Sequence, residues 1–172
     1  MLILRLIQKL IAALNSDGTP GQVAFGMAVG SALGLTPFLN LHNFILLVFA
    51  FLVNISFPAV MLGWIVFAPV GFLLDPVFDR IGAWLLLDNT GLLSFWTSLY
   101  NTPVIPLSNY NNTIVLGSLV GWVVLAIPIY YLSRFGVGWY RANVLPKLER
   151  SKFVKAVKAS KVYSFYRLFR VD

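Results

Sequence analysis

Cysteine is missing from the chain altogether, which removes disulfide frameworks, thiolate metal sites, iron–sulfur clusters and thiol nucleophiles in one step. Histidine is nearly missing as well: His42 stands alone, so the His-rich zinc hydrolases and any other site built on two imidazoles are excluded. Carboxylates number six. Glu149 and Asp172 sit in a basic tail and Asp17 precedes a turn, which leaves Asp75, Asp79 and Asp88 as acid–base groups. Charge of either sign is scarce, 11% of residues against about a quarter in an ordinary soluble domain. With 59% of its 172 residues hydrophobic, a soluble fold of this size could not cover its apolar surface. The bilayer is the expected solvent.

Where the charges fall says more than how few there are. No acidic or basic side chain occurs from Gly18 to Leu74 or from Asn89 to Ser133. From Arg134 to the end the chain carries ten basic and two acidic residues. The positive-inside rule keeps that tail in the cytoplasm, and Arg5 and Lys9 hold the N-terminus there too, so the number of complete crossings should be even.

Residues 1–15 read as an interfacial helix. Arg5, Gln8 and Lys9 make one polar stripe on a surface of Leu and Ile. After the turn formers of Asn15 to Gly21, Gln22 to Leu35 is a helix of small residues. Gly26, Gly30 and Gly34 form one ridge, Ala24, Ala28 and Ala32 another on the opposite face. A helix that can be approached closely from both sides belongs in the middle of a bundle. It would rise only about 21 Å, short of the roughly 30 Å hydrocarbon core. Thr36-Pro37 then interrupts it, and the apolar run that resumes to Val53 opens with Asn40, His42 and Asn43 and closes at Asn54. This implies a re-entrant hairpin or two short tilted spans. Non-helical backbone at such depth must be buried in protein or face a watery cavity. Thr36, Pro37, Asn40, His42 and Asn43, with Asn54, are therefore the candidate polar turn or lipid contact, with His42 able to carry a proton or bind a lipid phosphate.

Pro58 opens the next apolar run, Pro69 should kink it, and Asp75-Pro76 has the form of an N-cap followed by a first-turn proline, so a new interfacial helix is expected there. Asp75, Asp79 and Arg80 then form an interfacial charge cluster, a cap with an ion pair in preference to a catalytic pair, because no nucleophile, metal or phosphate loop accompanies them. Trp84, Trp96, Tyr100 and Tyr110 have the chemistry of an aromatic belt. Thr113 to Ser133 is unbroken and would rise about 31 Å, enough to cross. Gly117 and Gly121 offer a packing ridge on it. In the tail, Lys152, Lys155, Lys158 and Lys161 are placed to bind anionic phospholipid, each basic residue contributing about 1 kcal/mol near the surface. Nucleic acid is not expected as a partner, since no nucleic-acid fold accompanies the charge.

Gly18-Thr19-Pro20, Val23-Ala24-x-Gly26-x-Ala28-x-Gly30, Gly34, Pro37, His42 and Asn54 together resemble a family of small bacterial inner-membrane proteins catalogued as a domain of unknown function. LNSDGTPGQVAFG, GLTPFLNLHN, LLDPVFD, LYNTPVIPLSNYNNT and LGSL are similar to one subfamily of it, over about residues 10 to 135. The resemblance implies a bacterial inner-membrane location and, because that subfamily is encoded beside a larger membrane-anchored protein, a protein partner. It implies no activity. Where broader members carry Asn-Pro late in the third apolar segment, this chain has Ala68-Pro69, so no role of that Asn transfers.

The expected fold is thus an all-α polytopic membrane protein with short or re-entrant helices. Its parts are the N-terminal helix 1–15, a membrane domain 16–135 including a periplasmic interfacial segment 75–112, and a basic cytoplasmic tail 136–172. No cofactor, metal or catalytic residue is expected. Two functions compete: a non-enzymatic subunit that anchors a larger partner and passes phospholipid to it, and a stand-alone transporter or flippase of a lipid phosphate.

Overall fold

The computed structural model describes residues 18–53 and 55–150, with the side chains of the last three left aside. Asn54, the expected N-terminal helix and Lys152, Lys155, Lys158 and Lys161 lie outside the described residues. Regular structure among those described is entirely helical. Helix α1 is Pro20–Leu35, α2 Leu41–Leu52, α3 Phe57–Ala83, α4 Leu93–Tyr100, α5 Thr113–Trp139 and α6 Leu145–Arg150. A π-helical turn, Trp84–Asp88, extends α3, and another, Tyr140–Val144, joins α5 to α6. The chain divides into two compact units, the first ending at Phe135 and the second starting at Gly136.

Helix α1 starts two residues earlier than the apolar pattern implies, because a capping box fixes it. The Gln22 amide donates to Thr19 Oγ1 at 3.2 Å, and the Thr19 amide donates to Gln22 Oε1 at 2.7 Å. Pro20 takes the first helical position, where its missing N–H costs nothing. Termination is equally local: Thr36 precedes a proline and is extended, with ψ 150°. Between these ends most of the helix is buried, with Phe25 exposed. A helix with buried residues on opposite faces has no amphipathic stripe.

Two glycine contacts hold the first unit together. In the first, α1 lies against α3: a Cβ added to Gly30 would meet the Val60 carbonyl oxygen at 2.0 Å, and one added to Gly34 would meet the Ala68 nitrogen at 2.7 Å. The receiving surface has glycines of its own. Gly63 faces Met27 and Gly30, and Gly71 faces Gly34 and Leu35. Contact positions rise together on both helices, so α1 and α3 run parallel, with α2 returning between them in sequence. In the second contact α3 meets α5: Gly82 abuts Thr113, while Gly117 and Gly121 abut Phe78. Here positions rise on one helix as they fall on the other, and the pair is antiparallel. Around these contacts Leu33, Val60 and Ala50 pack as one apolar cluster and Leu35, Phe78 and Ile129 as another.

One expectation is overturned. No helix starts at Asp75-Pro76; α3 runs unbroken through both Pro69 and Pro76. Each proline forfeits one backbone bond, whereas a break would strand up to four N–H and four C=O groups among apolar side chains. The smaller loss prevails. Residues 75–83 therefore complete a long helix, and Phe57–Asp88 and Thr113–Lys147 are each long and apolar enough to cross a membrane.

Candidate functional site: the polar turn between α1 and α2

The turn from Thr36 to Asn43 satisfies its own polar groups. Pro37 leaves an unpaired carbonyl, and both neighbouring amides converge on it: Asn40 Nδ2 donates at 2.6 Å and Asn43 Nδ2 at 2.8 Å. Asn43 Nδ2 also donates to the Phe38 carbonyl at 3.2 Å. The Thr36 hydroxyl lies 2.8 Å from the Ala32 carbonyl and 2.9 Å from Asn43 Oδ1, one proton serving two acceptors. Asn43 is 1% exposed, so its amide works in an environment where an unmade hydrogen bond is costly.

The last partner comes from far along the chain. Asn109 Nδ2 donates to Asn40 Oδ1 at 2.7 Å, tying the loop before α5 to the hairpin tip. Asn109 holds a left-handed backbone, φ 54°, which asparagine tolerates better than most residues. Val104, at φ 75°, is strained, since a β-branched residue rarely occupies that region. The loop is anchored on its other side by aromatics. The Trp96 indole donates to the Leu85 carbonyl at 2.9 Å, the Tyr110 hydroxyl donates to the Trp96 carbonyl at 3.0 Å, and the two rings stack 5.7 Å apart. Burial, with Tyr100 adding to it, pushes the Tyr110 hydroxyl above its ordinary pKa and keeps it a neutral donor.

The groove beside the turn, about 410 Å³, is walled mainly by apolar groups, among them Phe38, Leu39, Phe44, Leu47 and Leu107. Asn40 and Asn43 line it too, but their amides are committed to backbone carbonyls. His42 stands apart from the network: among the described residues neither ring nitrogen has a partner, and both are shielded from solvent. Replacing it should therefore be tolerated. His42→Phe is expected to leave thermal stability in detergent unchanged or to raise it, because at a half-buried position it removes two polar atoms that lack a partner among the described residues. A loss comparable with that of a core deletion would mean that the imidazole has a partner.

The remaining sequence-derived residues are scattered. Asp75 and Asp79 lie on α3; Asp79 accepts the Thr113 hydroxyl, which joins the second glycine contact, and Arg80 is exposed. The expected cap at Asp75 is absent, because unbroken α3 carries Asp75 inside the helix, and Asp79 instead makes a helix-to-helix hydrogen bond. Gly26, Gly30, Gly34, Gly117 and Gly121 lie at the two helix contacts. Sequence reasoning missed Gly63, Gly71, Gly82 and Asn109. The first two are spaced by eight residues, two turns of helix, a signal that the search for four-residue spacing passes over.

The described fold is that of an all-helical protein with two helices able to span a membrane. Residues 4–144 match a family described as an uncharacterized protein conserved in bacteria (DUF2062), and the chain belongs to that family. An uncharacterized protein of Treponema pallidum (strain Nichols) is 27% identical over 149 residues, 87% of this chain and 91% of the relative. No solved structure matches.

Proposed function

We propose that the chain is a non-enzymatic subunit of the bacterial inner membrane that anchors a larger membrane-anchored protein and passes phospholipid to it in envelope lipid transport. The observation that carries the membrane part is the outward face of the bundle. Phe44, Phe51, Phe72, Leu73, Val124 and Leu132 are all more than half exposed. Only 28% of an 18-residue apolar stretch in either long segment is buried, unlike the core helix of a soluble fold. Exposed apolar surface of this extent needs lipid or protein to cover it. In this arrangement α3 and α5 cross the bilayer, and α1 and α2 enter from the cytoplasmic side and return to it, with the hairpin tip reaching the periplasmic loop at Asn109. Their lengths, about 24 Å and 18 Å, suit a re-entrant hairpin. Residues 88–112 are then periplasmic, and the tail with Lys152, Lys155, Lys158 and Lys161 lies against anionic headgroups.

A scaffold role is favoured over a stand-alone flippase by the same packing. Alternating access needs elements that slide or rock. Helices α1 and α3 touch backbone to backbone at Gly30 and Gly63, and α3 and α5 at Gly82 and Gly117. The polar groups of the turn, moreover, are bonded to one another rather than offered to a substrate. Purification of the native complex in mild detergent, with analysis of its lipids, tests the reading. A discrete larger partner with co-purifying phospholipid is the expected result. A lone chain that moves lipid phosphate across liposomes would overturn it.

A further inference from the structure

A second groove, about 520 Å³, opens between the α1–α2 hairpin and α5, with Phe25 and Phe49 on one side and Trp122, Ala126, Ile127 and Tyr131 on the other. We infer that it holds one acyl chain of an anionic phospholipid, whose phosphate rests on Arg134. The inference rests on the bilayer placement proposed above and does not need the protein partner.

The lining leaves an occupant little to bond with. The indole N–H of Trp122 is already spent on the Ala28 carbonyl, at 3.0 Å. Phe25 and Phe49 meet edge to face, 6.3 Å apart, and close one wall. Apart from the Tyr130 and Tyr131 side chains, which carry hydroxyls, what remains is hydrocarbon and aromatic surface, with small residues, Ala28 and Ala126, among the lining. Shape narrows the choice further. From Trp122 to Tyr131 the groove follows α5 for about 14 Å, along the direction in which a lipid chain lies.

Charge fixes the headgroup and its end. Arg134 lies seven residues after Ile127 and three after Tyr131, on the helix face that lines the groove. It is exposed, at the end of the groove towards the start of α1, since a Cβ on Gly21 would lie 3.6 Å from the Tyr130 hydroxyl. No acidic residue occurs between Asp88 and Glu149 to compete for it in sequence. A guanidinium just beyond an apolar groove, at the cytoplasmic interface, matches a phosphate ester above its acyl chain.

The test uses the full chain purified without any partner, incubated in mixed micelles of phosphatidylglycerol and phosphatidylethanolamine, and weighed by native mass spectrometry. Wild type should retain one phospholipid and prefer phosphatidylglycerol. Ala126→Phe, which fills the groove, should lose the retained lipid. Arg134→Gln, an exposed change that leaves the packing alone, should keep a lipid but lose preference for the anionic one by about fivefold. Equal retention and equal preference in all three proteins would overturn the groove and leave the membrane reading standing. Release of wild type from membranes by alkaline carbonate alone would overturn both.

Discussion

Gly30→Leu is expected to abolish accumulation of folded protein. The reason is geometric: even a methyl group at Gly30 would lie 2.0 Å from the Val60 carbonyl oxygen and 3.0 Å from the Trp64 nitrogen, and both obstacles are backbone. Flexible side chains can yield by a rotamer change, but a helix backbone moves only as a unit. Overpacking in a close-packed core costs about 1 to 3 kcal/mol, and a leucine here, forcing α1 off α3 at Gly26 and Gly34 as well, should exceed that range. Gly136→Ala is the matched control. Nothing lies within 4 Å of its added methyl group, so the change should be neutral or stabilising by up to about 1 kcal/mol through helix propensity. Detergent melting and membrane yield of the two variants would separate close packing from a general intolerance of glycine replacement. Equal yields would mean that α1 is not clamped against α3.

Asn43→Leu should be the second most damaging single change. The side chain is enclosed, and its amide serves Thr36, Pro37 and Phe38. Leucine preserves the volume but removes all of these bonds at once, leaving the Pro37 carbonyl with Asn40 Nδ2, the Phe38 carbonyl with the Asn40 N–H and the Thr36 hydroxyl with the Ala32 carbonyl. A loss of about 1 to 3 kcal/mol is expected from the hydrogen bonds removed at an enclosed site. Loosening should reach the far side of the turn, because Asn40, which shares the Pro37 carbonyl, is also the residue that Asn109 holds. Increased hydrogen exchange at both residues 36–44 and 105–112 in Asn43→Leu would report that linkage. Exchange confined to residues 36–44 would mean that the loop is held by Trp96 and Tyr110 alone. The neighbouring His42→Phe, expected to be harmless, makes the comparison sharp.

Some of this could be read from residues alone. The small-residue spacing of Gly26, Gly30 and Gly34 is visible without a structure, because helical periodicity turns it into a face. What that face meets is not visible, since Gly63 and Gly71 come from a helix packed in parallel, and sequence neighbours suggest an antiparallel pair first. Asp75-Pro76 misled for a different reason. Its cap signature is a local preference of about 1 kcal/mol, and the backbone groups that a break would expose in apolar surroundings outweigh it. The turn was legible as polar, through Pro37 and its asparagines, but not as closed. Its closure depends on Asn109, 69 residues from Asn40, and no periodicity connects them.

Side-specific labelling of single cysteines tests the two-crossing arrangement of α3 and α5 most directly, on a chain with no native cysteine to give background. In spheroplasts, an impermeant thiol reagent is expected to label Asn111→Cys from outside, and to label Ser56→Cys and Lys155→Cys only after the membrane is opened. Labelling of Lys155→Cys in intact spheroplasts would contradict the account.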